Sequence, residues 1–434
     1  MAVSSTNKRH GNGLLPIRLE TQCPHCWHTF PTEQMLYISE CPDLLGDFRL
    51  GDNAQQRFLP TRFTPDTAAL DSKGFKCRKI ACPHCHLEIP RPTLEMSQRF
   101  VSIVGAPASG KSYFLAAMSW QMRSVLSESF CMSFSDADSE FNRRIHEYES
   151  MQFMNPNPNA FVSIEKTEEQ GDQYNTVLID GQDVTYPQPY IFSLTPQPSH
   201  PNAKRTQAIS RSLCLYDNAG ESFLPGKDSA STPLTQHLAH SDYILFLYDP
   251  TQDPRFRQAC AKLTNDPQMT DRNSRLARES DVRQDVIFTE MANRIRQHAG
   301  IGSTDQHDVP LIVVVTKFDS WRPLLRNVAI QSPIVRAKPS ELSSLNISDV
   351  NATSKKLRKL MHQYCPEIVN NAESFASDIT YIPVSATGCS PTWSEDINEL
   401  GFRARDIKPI WVEVPLLYAL AKKTRGIIPI SGGG

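Results

Sequence analysis

The chain has 434 residues, enough for two or three domains. Hydrophobic residues make up 39% and charged residues 21%, the balance of a globular protein with a real core. A net charge of −2 gives no global pull toward nucleic acid or an anionic membrane, and no run reaches the length of apolar residues that a membrane span needs.

The first residues, "MAVSSTNKRHGNG", hold two basic residues with no apolar run behind them, so residues 1–15 are expected to be a polar tail and not a signal peptide. Eleven cysteines without a secretion signal point to reduced thiols and metal ligands, and to a cytoplasmic protein. Residues 16–97 contain "CPHC" twice, at Cys23–Cys26 and Cys82–Cys85. Each C-x-x-C turn can place two thiolates on one Zn²⁺, and two such turns close a tetrahedral structural site. The gap between the pairs far exceeds the usual ~15–20 residues, so the expected element is a zinc ribbon with a long inserted arm. His25, His28, His84, His86, Cys41 and Cys77 lie close enough in sequence to replace a ligand. "HLEIPRP" is expected to link this ribbon to the next domain.

That domain opens with "QRFVSIVGAPASGKSYFLAAMSWQMRSVL". Phe100–Val104 predicts a buried strand, and Phe114, Leu115, Met118, Met122, Val125 and Leu126 recur at helical spacing. Between them Gly105, Gly110, Lys111 and Ser112 fit G-x-x-x-x-G-K-[ST]. Residues 105–110 (Gly105, Ala106, Pro107, Ala108, Ser109 and Gly110) can turn backbone N–H groups toward a polyphosphate at a helix N-terminus. Lys111 would reach the β- and γ-phosphates and Ser112 would bind Mg²⁺. A chance match in a Gly/Ser loop is the ordinary alternative.

Residues 128–208 read as irregular, with "YIFSL" as a possible strand. "RSLCLYDNAG" is a strand ending in Asp217, whose D-x-x-G can hold Mg²⁺ through Asp217 and sense a γ-phosphate through Gly220. "SDYILFLYDP" is a further apolar strand, 282–299 an amphipathic helix stopped by Gly300, and "VPLIVVVTKFD" a buried parallel strand. After it, Asp319 can accept from both the N1–H and the 2-amino group of guanine, an arrangement adenine does not offer. The Lys317 stem can lie over the base, and a backbone N–H of "SAT", at Ser385 and Ala386, can meet guanine O6. The bland reading of "TKFD" is a helix cap. Residues 350–364 and 410–424 read as helices. Strands alternating with helices after residue 98 predict an α/β fold with a mostly parallel sheet.

GAPASGKS, DNAG, TKFD and SAT, in that order, resemble the G1, G3, G4 and G5 motifs of translation-factor-class P-loop GTPases, and Pro107 resembles the G-x-P form of the first motif in the Era-like branch. The resemblance covers roughly residues 98–425. It implies a Ras-like fold, GTP/GDP and Mg²⁺ as ligands, and nucleotide contacts at 105–112, Asp217, Thr316, Lys317, Asp319, Ser385 and Ala386. Thr316 stands where the family usually has Asn. The chain then divides into a tail (1–15), a zinc-ribbon domain (16–97), a GTPase domain (98–425, with insertions at about 128–208 and 321–349) and a C-terminal tail (426–434).

Two departures stand out. Lys111 and Asp217 are much further apart than in a minimal Ras-like domain, and the switch I threonine on Mg²⁺ has no clear position; Thr185 is the candidate, with Thr195 and Thr206 behind it. Glu221 follows DNAG where Ras-like enzymes use Gln to orient water. With Lys111 and Gly220 as the other catalytic candidates and no intrinsic arginine finger, slow hydrolysis and a GTPase-activating or effector protein partner are expected. A zinc ribbon joined to an insertion-rich GTPase resembles bacterial double-GTPase-type proteins of conflict and defence systems. The competing readings are an ATPase, a non-hydrolysing nucleotide-binding scaffold, and a GTPase whose ribbon binds nucleic acid through Arg49, Arg57, Arg62, Lys73, Lys76, Arg78 and Lys79, a reading weakened by interspersed acids.

Overall fold

The computed structural model describes residues 15–162, 174–217, 223, 235–270, 283–325, 330–336, 342–394 and 399–432. The N-terminal part is built on two small antiparallel hairpins, Glu20–Gln22 with Thr29–Pro31 and Ile80–Ala81 with Glu88–Ile89. Each carries one CPHC in its loop. A third hairpin, Leu45–Asp47 with Gly51–Gln55, forms the inserted arm. The expected linker is not a free tether, because Glu88–Ile89 is itself a strand of this unit.

A seven-stranded sheet comes next. Its strands are β1 (Ser97–Gly105), β2 (Met132–Asp136), β5 (Tyr190–Pro196), β6 (Arg211–Asp217), β7 (Tyr243–Tyr248), β8 (Leu311–Val315) and β9 (Ile379–Pro383), with β3 (Tyr174–Ile179) and β4 (Gln182–Pro187) forming a separate hairpin. The order is β2-β5-β6-β1-β7-β8-β9. The five strands from β6 to β9 run parallel; β5 is antiparallel to β6, and β2 is antiparallel to β5 and so runs with the five. The helices are α1 (Lys111–Phe130), α2 (Arg143–Phe153), α3 (Gln284–Ala299), α4 (Ile347–Tyr364), α5 (Pro366–Phe375) and α6 (Val414–Lys423).

Side chains alternate along each strand, and both faces of the sheet are buried. On one face Val101, Leu213, Leu215, Leu245 and Val314 pack against Leu115, Met118 and Met122 of α1 and Leu416 and Leu420 of α6. The other face is covered by two different partners. Ile244, Phe246 and Val313 lie under Ile287 and Met291 of α3 and Val369 of α5. Phe100, Ile191, Cys214 and Tyr216 lie under the N-terminal unit, in one apolar cluster with Cys23, Trp27, Phe30 and Ile89. The cysteine-bearing unit therefore serves as a layer over β5, β6 and β1.

Residues 128–208 are more regular than their composition suggests: they hold β2, α2, the β3–β4 hairpin and β5. Arg123 of α1 reaches Asp136 of β2 at 3.0 Å and Glu149 of α2 at 3.3 Å, fixing this insertion to the body of the fold.

Candidate functional site

All the sequence-predicted nucleotide residues within the described segments, Thr185 excepted, lie at the C-terminal ends of the parallel strands, the edge where open α/β sheets bind ligands. β1 ends at Gly105, whose neighbour across the ladder is Leu247, while Asp217 is in register with Ile103. A Cβ on Gly105 would meet the Leu247 carbonyl oxygen and the Ser109 hydroxyl, each at 2.8 Å, so no larger residue fits without displacing backbone. The turn then needs left-handed backbone at Ala108 (φ +58°) and Gly110 (φ +88°) before α1 begins at Lys111. Ala108 adopts this conformation at a cost that glycine avoids.

Lys111 is buried, and its Nζ donates to the carbonyls of Gly105 (3.0 Å) and Ala106 (3.1 Å). The ammonium thus lies across the mouth of its own loop. The loop is braced from two sides. Gln252 Nε2 donates to Pro107 O at 2.9 Å, and the Thr316 hydroxyl reaches Ser109 O at 3.1 Å and Tyr248 O at 3.2 Å. Ser112 and Asp217 are both buried. Gly220 and Glu221 lie outside the described residues.

The second half of the site is a polar network around 316–319. Lys317 is left-handed (φ +53°), which turns its side chain back over the strand ends. Its Nζ meets Asp249 Oδ2 at 2.6 Å, Gln268 Oε1 at 2.8 Å and Thr251 Oγ1 at 3.1 Å. Asp249 is fully buried, and its other oxygen accepts from the Thr251 backbone N–H (2.8 Å) and hydroxyl (2.7 Å). Asp319 Oδ1 accepts from the Ser385 hydroxyl at 2.5 Å, and Ser385 Oγ accepts from the Gly388 N–H at 2.7 Å. Burial pushes the Asp319 carboxyl above its ordinary range; the Ser385 bond opposes this, and the nearby Asp266 adds to it. TKFD and SAT are therefore one hydrogen-bonded unit, and Thr316 wires it to the glycine loop.

Thr185 is not brought to this site. It sits on β4, its hydroxyl 3.0 Å from that of Thr176. Its hairpin is tied to the inserted arm by Arg49, whose guanidinium donates to Leu178 O at 3.0 Å and whose carbonyl accepts from Leu178 N at 2.8 Å. Thr195 and Thr206 lie toward the opposite end of the sheet, because β5 runs antiparallel to β6 and pairs Tyr190 with Leu215 but Leu194 with Arg211.

The four cysteines predicted as ligands do converge. The sulfurs of Cys23, Cys26, Cys82 and Cys85 all lie within 4.8 Å of one another. The two knuckles are near copies. Cys23 N donates to His28 O at 2.9 Å and Cys82 N to Leu87 O at 3.0 Å, while Trp27 (φ +56°) and His86 (φ +62°) each donate back to the first cysteine's carbonyl at 3.0 Å. His25 N and His84 N point at the Cys23 and Cys82 sulfurs at 3.3 and 3.4 Å. Burial raises the Cys23 and Cys85 thiols, while hydrogen bonds from the neighbouring thiols, Cys23 first, pull Cys26 well below its usual range. Four buried or half-buried sulfurs that converge from two C-x-x-C turns form a donor set that fits a metal ion of the zinc type. Two of the neighbouring histidines are occupied otherwise, His25 Nε2 with Glu88 O at 2.9 Å and His86 Nδ1 with Asp47 at 2.8 Å, while the His84 side chain reaches the Cys26 thiol.

The knuckle also touches the strand end that carries Asp217. Trp27 Nε1 donates to the Tyr216 hydroxyl at 3.0 Å, and that hydroxyl donates to Pro24 O at 2.6 Å. Tyr216 immediately precedes Asp217.

No family model matches this chain, and no curated protein matches it. Among solved structures, a crystal structure of sup35 complexed with GDP aligns at 12% identity with a TM-score of 0.22. The alignment covers 67% of this chain and 38% of that one, so the chain spans well under half of that protein. A superposition that loose does not bear on what this chain binds. Among the described residues no helix is long and apolar enough to cross a membrane.

Sequence reasoning missed Asp249, Thr251, Gln252 and Gln268 as parts of the site. Asp249 alone carried a signal, since it closes the strand "YILFLYDP" at the same sheet edge as Asp217.

Proposed function

We propose that this chain is a P-loop guanine-nucleotide-binding protein that hydrolyses GTP slowly, with a structural zinc ion in its N-terminal layer. The observation that carries the reading is the wiring of three separated segments at one sheet edge: Thr316 to the glycine loop at Ser109, and Asp319 to Ser385. A helix cap would account for Asp319 but not for those two bonds. Thr316 performs with a hydroxyl the bracing that the family's asparagine would supply.

In this reading Lys111 exchanges its two loop carbonyls for phosphate oxygens, and Ser112 and Asp217 hold Mg²⁺, which neutralises phosphate charge. The Asp319 carboxylate accepts the two guanine donors, and Lys317 is held along the base by Asp249, Thr251 and Gln268. Cys23, Cys26, Cys82 and Cys85 hold zinc. Glu221 is a poor substitute for a water-orienting amide, so turnover depends on a partner; an arginine supplied in trans raises hydrolysis by about 10³–10⁵-fold. The wider role, a partner-activated switch of the bacterial conflict-system kind, rests on architecture alone.

The test is competition between GTP and ATP for the purified chain, repeated with Asp319→Asn. Wild type should prefer GTP strongly, and the variant should move toward xanthine nucleotides, whose 2-position presents an acceptor. Equal binding of ATP and GTP by wild type would refute the reading.

A further inference from the structure

Trp27 occupies a backbone position that glycine adopts at no steric cost. Its φ is +56°, and its backbone is pinned there from both sides: its N–H donates to Cys23 O at 3.0 Å and its carbonyl accepts from Gln22 Nε2 at 2.9 Å. A bulky side chain on left-handed backbone is strained, and such strain persists where the surroundings hold it in place. The matching residue of the second knuckle, His86 (φ +62°), uses its ring to hold the inserted arm through Asp47 at 2.8 Å. The Trp27 ring holds the end of β6.

Nε1 of Trp27 donates to the Tyr216 hydroxyl at 3.0 Å, and one face of the indole lies flat on His240, with 5.7 Å between centroids and 9° between planes. Tyr216 stacks in turn on His237 at 4.8 Å, and His237 Nδ1 pairs with the Ser102 hydroxyl of β1 at 2.5 Å. One side chain of the cysteine layer therefore touches both the residue before Asp217 and the short helix Gln236–His240 that comes after it in the chain.

The end of β6 depends on that contact. Among the described residues β5 pairs with β6 only as far as Leu215, so Tyr216 and Asp217 have ladder partners on the β1 side alone, Ser102 and Ile103. Side chains alternate along the strand. Cys214 and Tyr216 enter the cluster under the N-terminal unit, while Leu213 and Leu215 pack with α1. Asp217 has the parity of Leu215 and so lies on the α1 face, and α1 opens with Lys111 and Ser112. Holding the Tyr216 ring on one face sets the strand end that carries the carboxylate on the other.

We propose that Trp27 is a positioning residue for the nucleotide's metal ion: it holds Tyr216, and with it the Asp217 carboxylate, on the side of the sheet where Ser112 lies. This rests on the reading of Ser112 and Asp217 as the residues that hold Mg²⁺, and it adds to that reading a residue from the N-terminal unit. The base contacts at Asp319 and Ser385 follow β8 and β9, on the other side of β1 in the sheet, so loss of Trp27 leaves them in place.

The experiment is calorimetric titration of the full chain with GDP, with and without added Mg²⁺, in wild type, Trp27→Phe and His240→Ser. Phenylalanine keeps a ring on the left-handed backbone without the donor. His240 is exposed, so its replacement removes the stack and leaves the core intact. The expected result is that the gain in GDP affinity on adding Mg²⁺ shrinks by roughly ten-fold in Trp27→Phe and by about three-fold in His240→Ser, with affinity in the absence of Mg²⁺ within about two-fold of wild type. Equal losses with and without Mg²⁺ would show Trp27 to be merely structural, and an unchanged gain would remove it from the metal's surroundings; either overturns the proposal. Should Trp27→Phe fail to fold by far-UV dichroism, His240→Ser decides by the same two criteria. A wild type whose GDP affinity does not rise with Mg²⁺ would sink the reading of Ser112 and Asp217 itself, and the proposal with it, whereas a rise in wild type leaves that reading standing however the variants behave.

Discussion

Tyr216→Phe removes a single oxygen from the contact between the cysteine knuckle and β6. That oxygen accepts from Trp27 Nε1 and donates to Pro24 O, and Tyr216 and Trp27 are both buried. Without it an indole N–H and a carbonyl are left in an apolar cluster with no partner. Each such group costs about 1–3 kcal/mol, so the variant should lose roughly 2–6 kcal/mol. Trp27→Phe removes the donor and part of the packing. Because the two changes delete the same bond, the double variant should be more stable than the sum of the singles predicts, by about 1 kcal/mol or more. The assay is urea unfolding of zinc-loaded protein followed by tryptophan fluorescence and far-UV dichroism. The same cycle in chelator-treated protein should show a smaller coupling, since an unclosed knuckle no longer holds Pro24 and Trp27 in place. A Tyr216→Phe variant within about 0.5 kcal/mol of wild type, or strict additivity in the zinc-loaded protein, would refute the claim that this hydroxyl joins the two layers.

Cys82→Ser opens the metal site, and because Cys82 shares a cluster with Phe100, Ile191 and Tyr216, the damage should spread into the sheet. The expected outcome is a lowered unfolding midpoint for the whole chain, and an N-terminal unit that melts separately over an intact sheet would contradict it. The Asp319 carboxyl is raised by burial, so in the folded chain it takes up a proton at a higher pH than an ordinary carboxylate. Guanine needs the ionised form, so GDP affinity should fall as pH drops through that raised value, and Asp266→Asn, which removes a neighbouring like charge, should move the fall to lower pH. By linkage a raised carboxyl favours the folded state only below its folded pKa and costs stability above it, so Asp319→Asn should be neutral or stabilising at pH 7 by urea unfolding while it abolishes guanine preference.

The chemistry-bearing segments were legible because each is local. Gly105–Ser112 needs only a strand, two permissive positions and a helix start, and the CPHC pairs need only their own turns. What joins them was not legible. Gln152 and Ala386 meet across most of the chain, and Lys317 finds Asp249 and Gln268 through tertiary packing that no periodicity records. The insertion looked irregular because its order comes from side chains. Asn142 substitutes for a strand neighbour by bonding the Ile191 backbone in both directions, at 2.9 and 2.8 Å. One signal there was readable: Asp180 and Gly181, both left-handed (φ +51° and +83°), make the tight Asp-Gly turn that joins β3 to β4.

The layer over β5, β6 and β1 is made from the start of the chain, and the strands it covers come later. Synthesis runs from the N-terminus, so the two knuckles can close on each other while Ile191 and Tyr216 are still unmade. Trp27, Phe30 and Ile89 then present an apolar platform in advance, and the sheet closes onto it. If the knuckles close on zinc as proposed, metal supply during translation would govern how long this apolar surface stays open. Without that metal such chains would leave the face over β5, β6 and β1 uncovered, the kind of apolar surface that leads to aggregation or degradation.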